Sequence, residues 1–197
     1  MFKNVSKYFF TIIFLSQFLF SANVDAKIFT ITKNGDFKLR KNVIKEILLD
    51  YENYCNQGCK YKLTGIESIK KVEVVDANHM FIWTYVDNIK QYKYFSYIEV
   101  VANDLNKVTI INTYPSWEEV DRLISSYQLS HSTPFVSGET IWTIEEKFDS
   151  QGNWSHTNVD YFSSFYASFL ISIFGKKINQ NLEITANDLF QDMSIAQ

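Results

Sequence analysis

The stretch SSFYASFLISIFGKKINQNLEITANDLFQDM, residues 163–193, carries the longest periodic pattern in the chain. Its apolar residues advance in steps of three and four, which is the spacing of one face of an α-helix. We therefore predict a single long C-terminal helix, which Gly175 is able to kink. The apolar stripe comprises Phe162, Phe165, Tyr166, Phe169, Leu170, Ile173, Phe174, Ile178, Leu182, Ala186, Leu189, Phe190 and Met193.

An apolar stripe of this length needs a matching surface, and the strands upstream are the only candidate that is large enough. Four segments with strand-like sequences are joined by short polar connections, which favours an antiparallel meander. A short strand over residues 27–33 precedes them and is ended by a turn at Asn34 and Gly35. The four segments span residues 66–76, 79–87, 91–101 and 107–114, and a last hairpin joins 139–148 to 154–162.

Alternation along each strand predicts which side chains share the face that meets the helix. On the second strand of the meander these are His79, Phe81, Trp83 and Tyr85. The other strands contribute Tyr92, Tyr94, Ser96, Ile98, Val100, Val108, Ile110, Asn112, Tyr114, Trp142, Ile144 and Phe148.

Helical spacing and capping signals predict two further helical segments. Apolar residues recur at helical spacing from Val43 to Leu48, and Asp50 then starts a new turn as a capping residue. Ser116 and Glu119 have the spacing of a capping box, which predicts a helix that begins at residue 116. The predicted fold class is α+β: a curved antiparallel β-sheet wrapped around a long C-terminal helix, with two short helices after the first strand.

Residues 1–26 have the layout of a signal peptide. Lys3 and Lys7 precede an apolar run over residues 8–20, and small side chains lead to a cleavage site after Ala26. The run is shorter than the roughly 20 residues that span a bilayer, so a retained anchor is the weaker alternative. We predict one domain over residues 27–197 that is periplasmic or secreted.

Composition bounds the function classes. The formal net charge of the whole chain is −3, and acidic and basic side chains are spread without blocks, so there is no electrostatic footprint for nucleic acid. Aromatic residues make up 17% of the chain, and there are only two prolines. This composition suits long strands and an interior that holds large side chains.

The two cysteines lie close together in the sequence. Cys55 and Cys59 are four residues apart, and on a helical turn ended by Gly58 their Cα atoms would be about 6 Å apart, within the range of a disulfide. Export also places them in an oxidising compartment, so we predict that they pair. A zinc site would need further soft ligands, and His79, the nearest histidine, is far along the chain. We expect no metal and no cofactor.

Two segments resemble the START-like and polyketide cyclase superfamily, which has the helix-grip fold and includes the major birch-pollen allergen. VIKEILLDYENYCNQ, residues 43–57, is similar to its first helix running into an Asp-Tyr-x-x-Tyr turn, with Asp50, Tyr51 and Tyr54 at the matching positions. SSFYASFLISIFGKKINQNLEITANDLF, residues 163–190, is similar to its C-terminal helix. Members often have Pro and Trp just after the turn, where this chain has the two cysteines.

The resemblance implies a cavity between sheet and helix that holds a hydrophobic ligand such as a lipid, a sterol or a polyketide. Large aromatic side chains on a concave sheet either line such a cavity or fill it, and the sequence leaves both readings open. The expected ligand-binding residues are Trp83, Tyr85, Tyr94, Asn112, Trp142, Phe165 and Phe169.

Three functions are compatible with this prediction. The first is a non-catalytic binder or carrier of a hydrophobic small molecule outside the cytoplasm, and export favours it. The second is an enzyme of cyclase or hydrolase type in the same cavity, with His79 or Glu146 as general acid or base. The third is a structural or interaction module with a filled core. We expect a monomer whose partners are a hydrophobic small molecule or lipid and, transiently, a membrane, but no nucleic acid.

Overall fold

The computed structural model describes residues 27–87, 91–133, 135–167 and 175–196. These residues form a large sheet, three α-helices, one 3-10 turn and a small strand pair. The elements in chain order are β1 (Lys27–Phe37), α1 (Lys41–Leu49), the 3-10 turn (Tyr51–Asn53), β2 (Tyr54–Cys55), β3 (Tyr61–Lys62), β4 (Ile66–Val74), β5 (His79–Asp87), β6 (Gln91–Ala102), β7 (Lys107–Thr113), α2 (Trp117–Tyr127), β8 (Phe135–Phe148), β9 (Trp154–Ala167) and α3 (Gly175–Ile195).

The seven long strands form one antiparallel sheet in the order β1-β9-β8-β7-β6-β5-β4, and β2 and β3 form a small parallel pair. α3 packs against β1 at one edge of the sheet and against β3 on the far side. The curved antiparallel sheet and long C-terminal helix of the sequence prediction are therefore confirmed. The strands of the meander begin and end close to the predicted residues.

β1 extends further than predicted. The turn expected at Asn34 and Gly35 is absent, because β1 stays paired with β9 through the register Gly35 with Val159 and Phe37 with Thr157. Gly35 instead allows a close approach of α3: a Cβ there would lie 3.0 Å from Cε1 of Phe190. Cross-strand pairing outweighs the local turn signal here.

The C-terminal helix is shorter than predicted. Residues 163–167 continue β9, where Phe165 pairs with both Phe29 of β1 and Gly138 of β8. The described helix begins at Gly175, and the predicted kink there lies at the border of the described residues and stays a prediction. Residues 168–174, which include Phe169, lie outside the described residues. From Ile178 onward the predicted stripe is confirmed, with Ala186, Phe190 and Met193 buried.

β5 is buried on both faces, and the predicted inward set lies on the wrong one. Phe81 and Trp83 pack with Phe95, Val120 and Leu123 beneath α2, on the convex side of the sheet. The side chains that face α3 are instead Met80, Ile82, Thr84 and Val86. α2 begins as predicted, with the Ser116 hydroxyl accepting a hydrogen bond from the Glu119 amide at 3.2 Å.

α1 leads into a loop that a disulfide closes. The side chain of Asp50 does not cap the 3-10 turn as predicted but accepts a hydrogen bond from the side-chain amide of Asn53 at 2.8 Å. Cys55 and Cys59 form the predicted disulfide, with Cα atoms 5.6 Å apart. The expected helical turn is absent there, because Cys55 is a residue of β2 and Gly58 has a φ of +85° within the loop.

Candidate ligand cavity

A cavity of about 240 Å³ lies between the concave face of the sheet and the layer formed by α1, the 3-10 turn and α3. Its volume is slightly below the usual range of small-molecule sites, roughly 300 to 1,000 Å³. The described side chains therefore leave a space beneath α3 that they do not fill. The described lining residues are Leu48, Tyr51, Tyr54, Leu63, Thr64, Ile66, Ile69, Ile82, Thr84, Val86, Tyr92, Tyr94, Ser96, Asn112, Tyr114, Phe135, Gly138, Thr140, Trp142, Tyr161, Phe165, Ile178, Asn181, Leu182, Thr185 and Leu189.

The helical layer covers the cavity with apolar side chains spaced one or two turns apart, and Asn181 and Thr185 of α3 lie among them. Ile178, Leu182 and Leu189 of α3 lie over it, and Leu48 of α1 closes the side towards the disulfide loop. Below them, Phe190 packs on Trp142, with ring centroids 6.0 Å apart, and so ties α3 to β8.

A polar row crosses the floor of the cavity. Asn112 of β7, Thr140 of β8 and Ser163 of β9 are direct partners in neighbouring strands. The hydroxyl oxygens of Thr140 and Ser163 are 2.8 Å apart and hydrogen bonded. Because directly opposed residues point to the same face, these three side chains form a continuous polar row in an otherwise largely apolar wall.

Tyrosine hydroxyls extend this polar row on both sides. Burial raises the pKa of Tyr94 to about 12, while a hydrogen bond with Thr84, its cross-strand partner, acts in the opposite direction. Burial also raises the pKa of Tyr161, whose hydroxyl lies beside those of Ser163 and Thr140. These phenols therefore stay neutral at physiological pH and act as neutral hydrogen-bonding groups.

Tyr114 stands out among the lining residues. Its ring packs on that of Tyr94, with centroids 5.7 Å apart. Its hydroxyl is shielded from solvent, and although Thr133 lies near it, the two do not complete a well-formed hydrogen bond within the described part of the chain. Burial raises the pKa of this hydroxyl well above the usual value for tyrosine.

Two tyrosines of the Asp-Tyr-x-x-Tyr turn shape the end of the cavity near the disulfide. Both Tyr51 and Tyr54 line it. The Tyr54 hydroxyl donates a hydrogen bond to the carbonyl oxygen of Ile47 at 3.1 Å, and its ring packs on that of Tyr61, with centroids 4.9 Å apart. The motif thus joins the end of α1 to the β2–β3 pair.

The predicted ligand-binding residues divide into three groups. Tyr94, Asn112, Trp142 and Phe165 line the cavity. Trp83 and Tyr85 belong to the cluster beneath α2, where the Trp83 indole donates to the carbonyl oxygen of Ser130 at 2.9 Å, so the prediction that they line the cavity is wrong. Phe169 lies outside the described residues.

The two candidate acid–base residues also lie away from the cavity. His79 is at an exposed corner, where a hydrogen bond from its ring to Asp76, 2.8 Å away, raises its pKa. Glu146 accepts a hydrogen bond from the backbone amide of Lys41 at 3.1 Å and pairs with Arg40 at 3.7 Å. Neither carboxylate nor imidazole is placed to act on a molecule in the cavity.

The described residues contain neither a metal-site cluster nor a helix suited to crossing a membrane. No cluster of three or more His, Cys, Asp or Glu residues with the geometry of a metal site occurs among them. In the same residues, no helix combines the length and the apolar character that a membrane crossing requires.

No protein-family model and no curated protein sequence matches the chain. Solved structures do match it. TTHA0849 from Thermus thermophilus is 12% identical over 83% of this chain and 96% of its own, with a TM-score of 0.53. Human StAR-related lipid transfer protein 5 is 7% identical over 95% of both chains, with a TM-score of 0.54. The chain has the START-like, helix-grip fold.

A third matching structure is longer than this chain. The di-domain ARO/CYC StfQ from the steffimycin biosynthetic pathway is 6% identical over 85% of this chain, with a TM-score of 0.54, but this chain spans only 50% of StfQ. At these identities the likeness shows a shared fold, and the residues of this chain's own cavity decide what it can bind.

The sequence did not indicate several residues that line the cavity, among them Thr84, Thr140 and Tyr161. A signal for Thr84 was available. β5 and β6 pair in a register in which Tyr85 lies opposite Lys93 and Thr84 opposite Tyr94. Because Tyr94 was predicted to face inward, its partner Thr84 also had to face inward.

Proposed function

We propose that this protein binds a hydrophobic small molecule in the cavity between the sheet and α3, as a non-catalytic binder or carrier. The observation that carries the proposal is the cavity of about 240 Å³, which remains although the surrounding core is closely packed. Its lining is mainly aliphatic and aromatic, with polar side chains both on the sheet and on α3. This is the composition typical of small-molecule binding sites.

The structural neighbours support this proposal. Human StAR-related lipid transfer protein 5 carries lipid transfer in its name, and the human StarD13 domain, at a TM-score of 0.50, is described as a lipid transfer and protein localization domain. StfQ is named as an ARO/CYC protein of a biosynthetic pathway, which is compatible with the enzymatic alternative. The placement of His79 and Glu146 outside the cavity favours binding, because the alternative assigned the chemistry to these two residues.

We also propose that the protein works outside the cytoplasm. The layout of residues 1–26 supports export, and the Cys55–Cys59 disulfide is compatible with an oxidising compartment. Intact-mass measurement on protein from its own host tests this directly: a mature chain that begins at Lys27 is expected. A chain that retains residues 1–26 in a cytoplasmic fraction would contradict it.

The remaining partner predictions are that the protein is a monomer, touches membranes only transiently and does not bind nucleic acid. Light scattering coupled to size exclusion tests the first of these. Flotation with neutral phospholipid vesicles tests the second, and a gel-shift assay with random-sequence DNA and RNA tests the third.

Native mass spectrometry of protein purified from its own host tests the proposed function. A co-purifying apolar molecule is expected, and after its removal the protein should take up N-phenyl-naphthylamine, a neutral fluorescent probe, at one site. An apo mass together with no probe uptake would contradict the proposal. Turnover of a hydrophobic substrate that depends on a residue lining the cavity would favour the enzymatic alternative.

A further inference from the structure

The wall of the cavity offers a ligand a defined set of polar groups. The side chains of the polar row and its neighbours are hydroxyls and amides: Thr84, Tyr94, Ser96, Asn112, Thr140 and Tyr161. Hydroxyls and amides both donate and accept hydrogen bonds without carrying charge. Such groups complement a hydroxyl or carbonyl group on a ligand.

Asn112 has hydrogen-bonding capacity that the protein does not use. It lies at one end of the polar row, paired with Thr140 on one side and with the apolar Ile98 on the other, and it lines the cavity. Its side-chain amide makes no hydrogen bond to any residue that the structure describes. Because this half-buried amide lies in the cavity wall and is not used by another described side chain or backbone group, it is available for a ligand.

The described lining residues include no lysine, arginine or histidine, and a carboxylate contacts one of them. Oδ2 of Asp188 accepts a hydrogen bond from the backbone amide of Thr64, a lining residue, at 2.7 Å. The lysines at the start of α3, Lys176 and Lys177, are exposed and are not among the lining residues. An anionic group in the cavity would therefore lose hydration without a cationic side chain among the described lining residues to pair with it.

We propose, on the basis of the proposed function, that the cavity selects neutral hydrophobic molecules that carry a hydroxyl or carbonyl group and rejects carboxylates and phosphates of the same size. Asn112 binds the ligand oxygen, and the Thr140–Ser163 hydroxyl pair holds the row in place beside it. The apolar remainder of the ligand lies beneath Leu182 and Leu189 of α3. Free fatty acids and anionic lipid head groups are thus excluded from the interior.

Isothermal titration calorimetry at neutral pH with three matched probes tests this selectivity. The probes are 2-naphthol, 2-methylnaphthalene and 2-naphthoate, which share a ring system and differ only in the substituent. We expect naphthol to bind about 2- to 10-fold tighter than methylnaphthalene, as one hydrogen bond allows. It should bind at least about tenfold tighter than naphthoate, because an unpaired carboxylate is costly to bury.

Variants of the polar row test whether these side chains cause the preference for naphthol. Asn112→Leu should lower the preference for naphthol over methylnaphthalene to nearly onefold. Thr140→Val provides a second variant of the row, in case Asn112→Leu does not fold. Thr143→Val is the matched control, because Thr143 lies on β8 outside the set of residues that line the cavity.

The outcomes separate this inference from the proposed function. If naphthoate binds as tightly as naphthol, the selectivity proposal is overturned while ligand binding in the cavity stands. If naphthol is preferred but neither row variant changes its preference over methylnaphthalene, the assignment to Asn112 and the row is overturned. If none of the three probes binds, both this inference and the proposed function are overturned.

Discussion

The ring of Phe190 on α3 packs on the indole of Trp142 on β8, with centroids 6.0 Å apart. Trp142 in turn packs on Tyr161 of β9 at 4.4 Å. This stack joins the C-terminal helix to the centre of the sheet, and Trp142 also lines the cavity. One tryptophan therefore reports on both the helix–sheet contact and the ligand site.

Trp142 should dominate the fluorescence response to a ligand in the cavity. Of the four tryptophans, Trp83, Trp117 and Trp154 are not among the residues that line it. We expect decanol, which does not fluoresce, to change the tryptophan emission of the wild-type protein and of Trp83→Phe to a similar extent. In Trp142→Phe, most of that change should be lost. A response that is lost in Trp83→Phe instead would restore the original assignment of Trp83 to the cavity.

The prediction for β5 named the wrong face, because the alternation of side chains does not show which face of a strand lies towards the cavity. β5 is buried on both sides, since α2 covers its convex face and α3 and α1 cover its concave face. The larger aromatic residues, Phe81 and Trp83, pack under α2, and the smaller Ile82 and Thr84 leave room for the cavity. When both faces of a strand are buried, only register with a neighbour identifies the cavity side.

A buried tyrosine hydroxyl stabilises the C-terminal end of α1. Tyr54 is almost completely buried, and its hydroxyl donates to the carbonyl oxygen of Ile47 at 3.1 Å. We expect Tyr54→Phe to lower the free energy of unfolding by about 1 kcal/mol, the usual net value of such a hydrogen bond. Urea unfolding followed by circular dichroism measures it.

The matched control for this prediction is Tyr127→Phe. The Tyr127 hydroxyl donates to Glu73 at 2.9 Å, but at an exposed position on α2. Its loss should change the free energy of unfolding by less than about 0.5 kcal/mol, as is usual for surface substitutions. Equal effects of the two variants would contradict the role given to Tyr54.

An element whose limits depend on a local sequence signal was predicted correctly, whereas one whose limits depend on distant strand partners was not. α2 was predicted correctly because its start depends on a local capping box at Ser116 and Glu119. Residues 163–167 were assigned to the helix because Phe162, Phe165 and Tyr166 also fit helical spacing. They form a strand because β1 and β8 pair with them on both sides, and those partners are far away in the sequence.

The sequence predicted only part of the polar row, because the row is formed by strands that pair across long distances in the sequence. Asn112 was predicted to face inward from the alternation of its own strand. Its neighbours Thr140 and Ser163 follow only from the register of β7, β8 and β9, which the sequence does not specify strand by strand. The Cys55–Cys59 disulfide, by contrast, depends on a spacing of four residues and was predicted correctly.

Asp192 should make folding stability depend on pH. One of its carboxylate oxygens is shielded without a partner in the described part of the chain, and burial, together with repulsion from Asp188, raises its pKa. The folded state therefore binds the proton more tightly than the unfolded chain. Its stability falls as pH rises from about 4, the ordinary pKa of aspartate, through the raised value.

Asp192→Asn should remove this dependence. We expect its free energy of unfolding to exceed that of the wild-type protein at neutral pH, with a difference that narrows as the pH falls towards about 3, below the ordinary pKa of aspartate. Asp121→Asn, at an exposed position on α2, is the control and should follow the wild-type curve. A difference that grows at acid pH would show that the sign is wrong. Urea midpoints at a series of pH values give the curves.

We propose that a hydrophobic ligand occupies the space between the sheet and α3. A pair of substitutions on α3 tests this most directly. Leu182 lines the cavity, whereas Ile184, two residues further on, is 41% exposed. Titration with N-phenyl-naphthylamine should show binding to wild type and Ile184→Trp with similar affinity. Leu182→Trp, which fills the cavity, should lose at least about tenfold in affinity while remaining folded. Equal binding by both variants would place the ligand elsewhere and contradict the account.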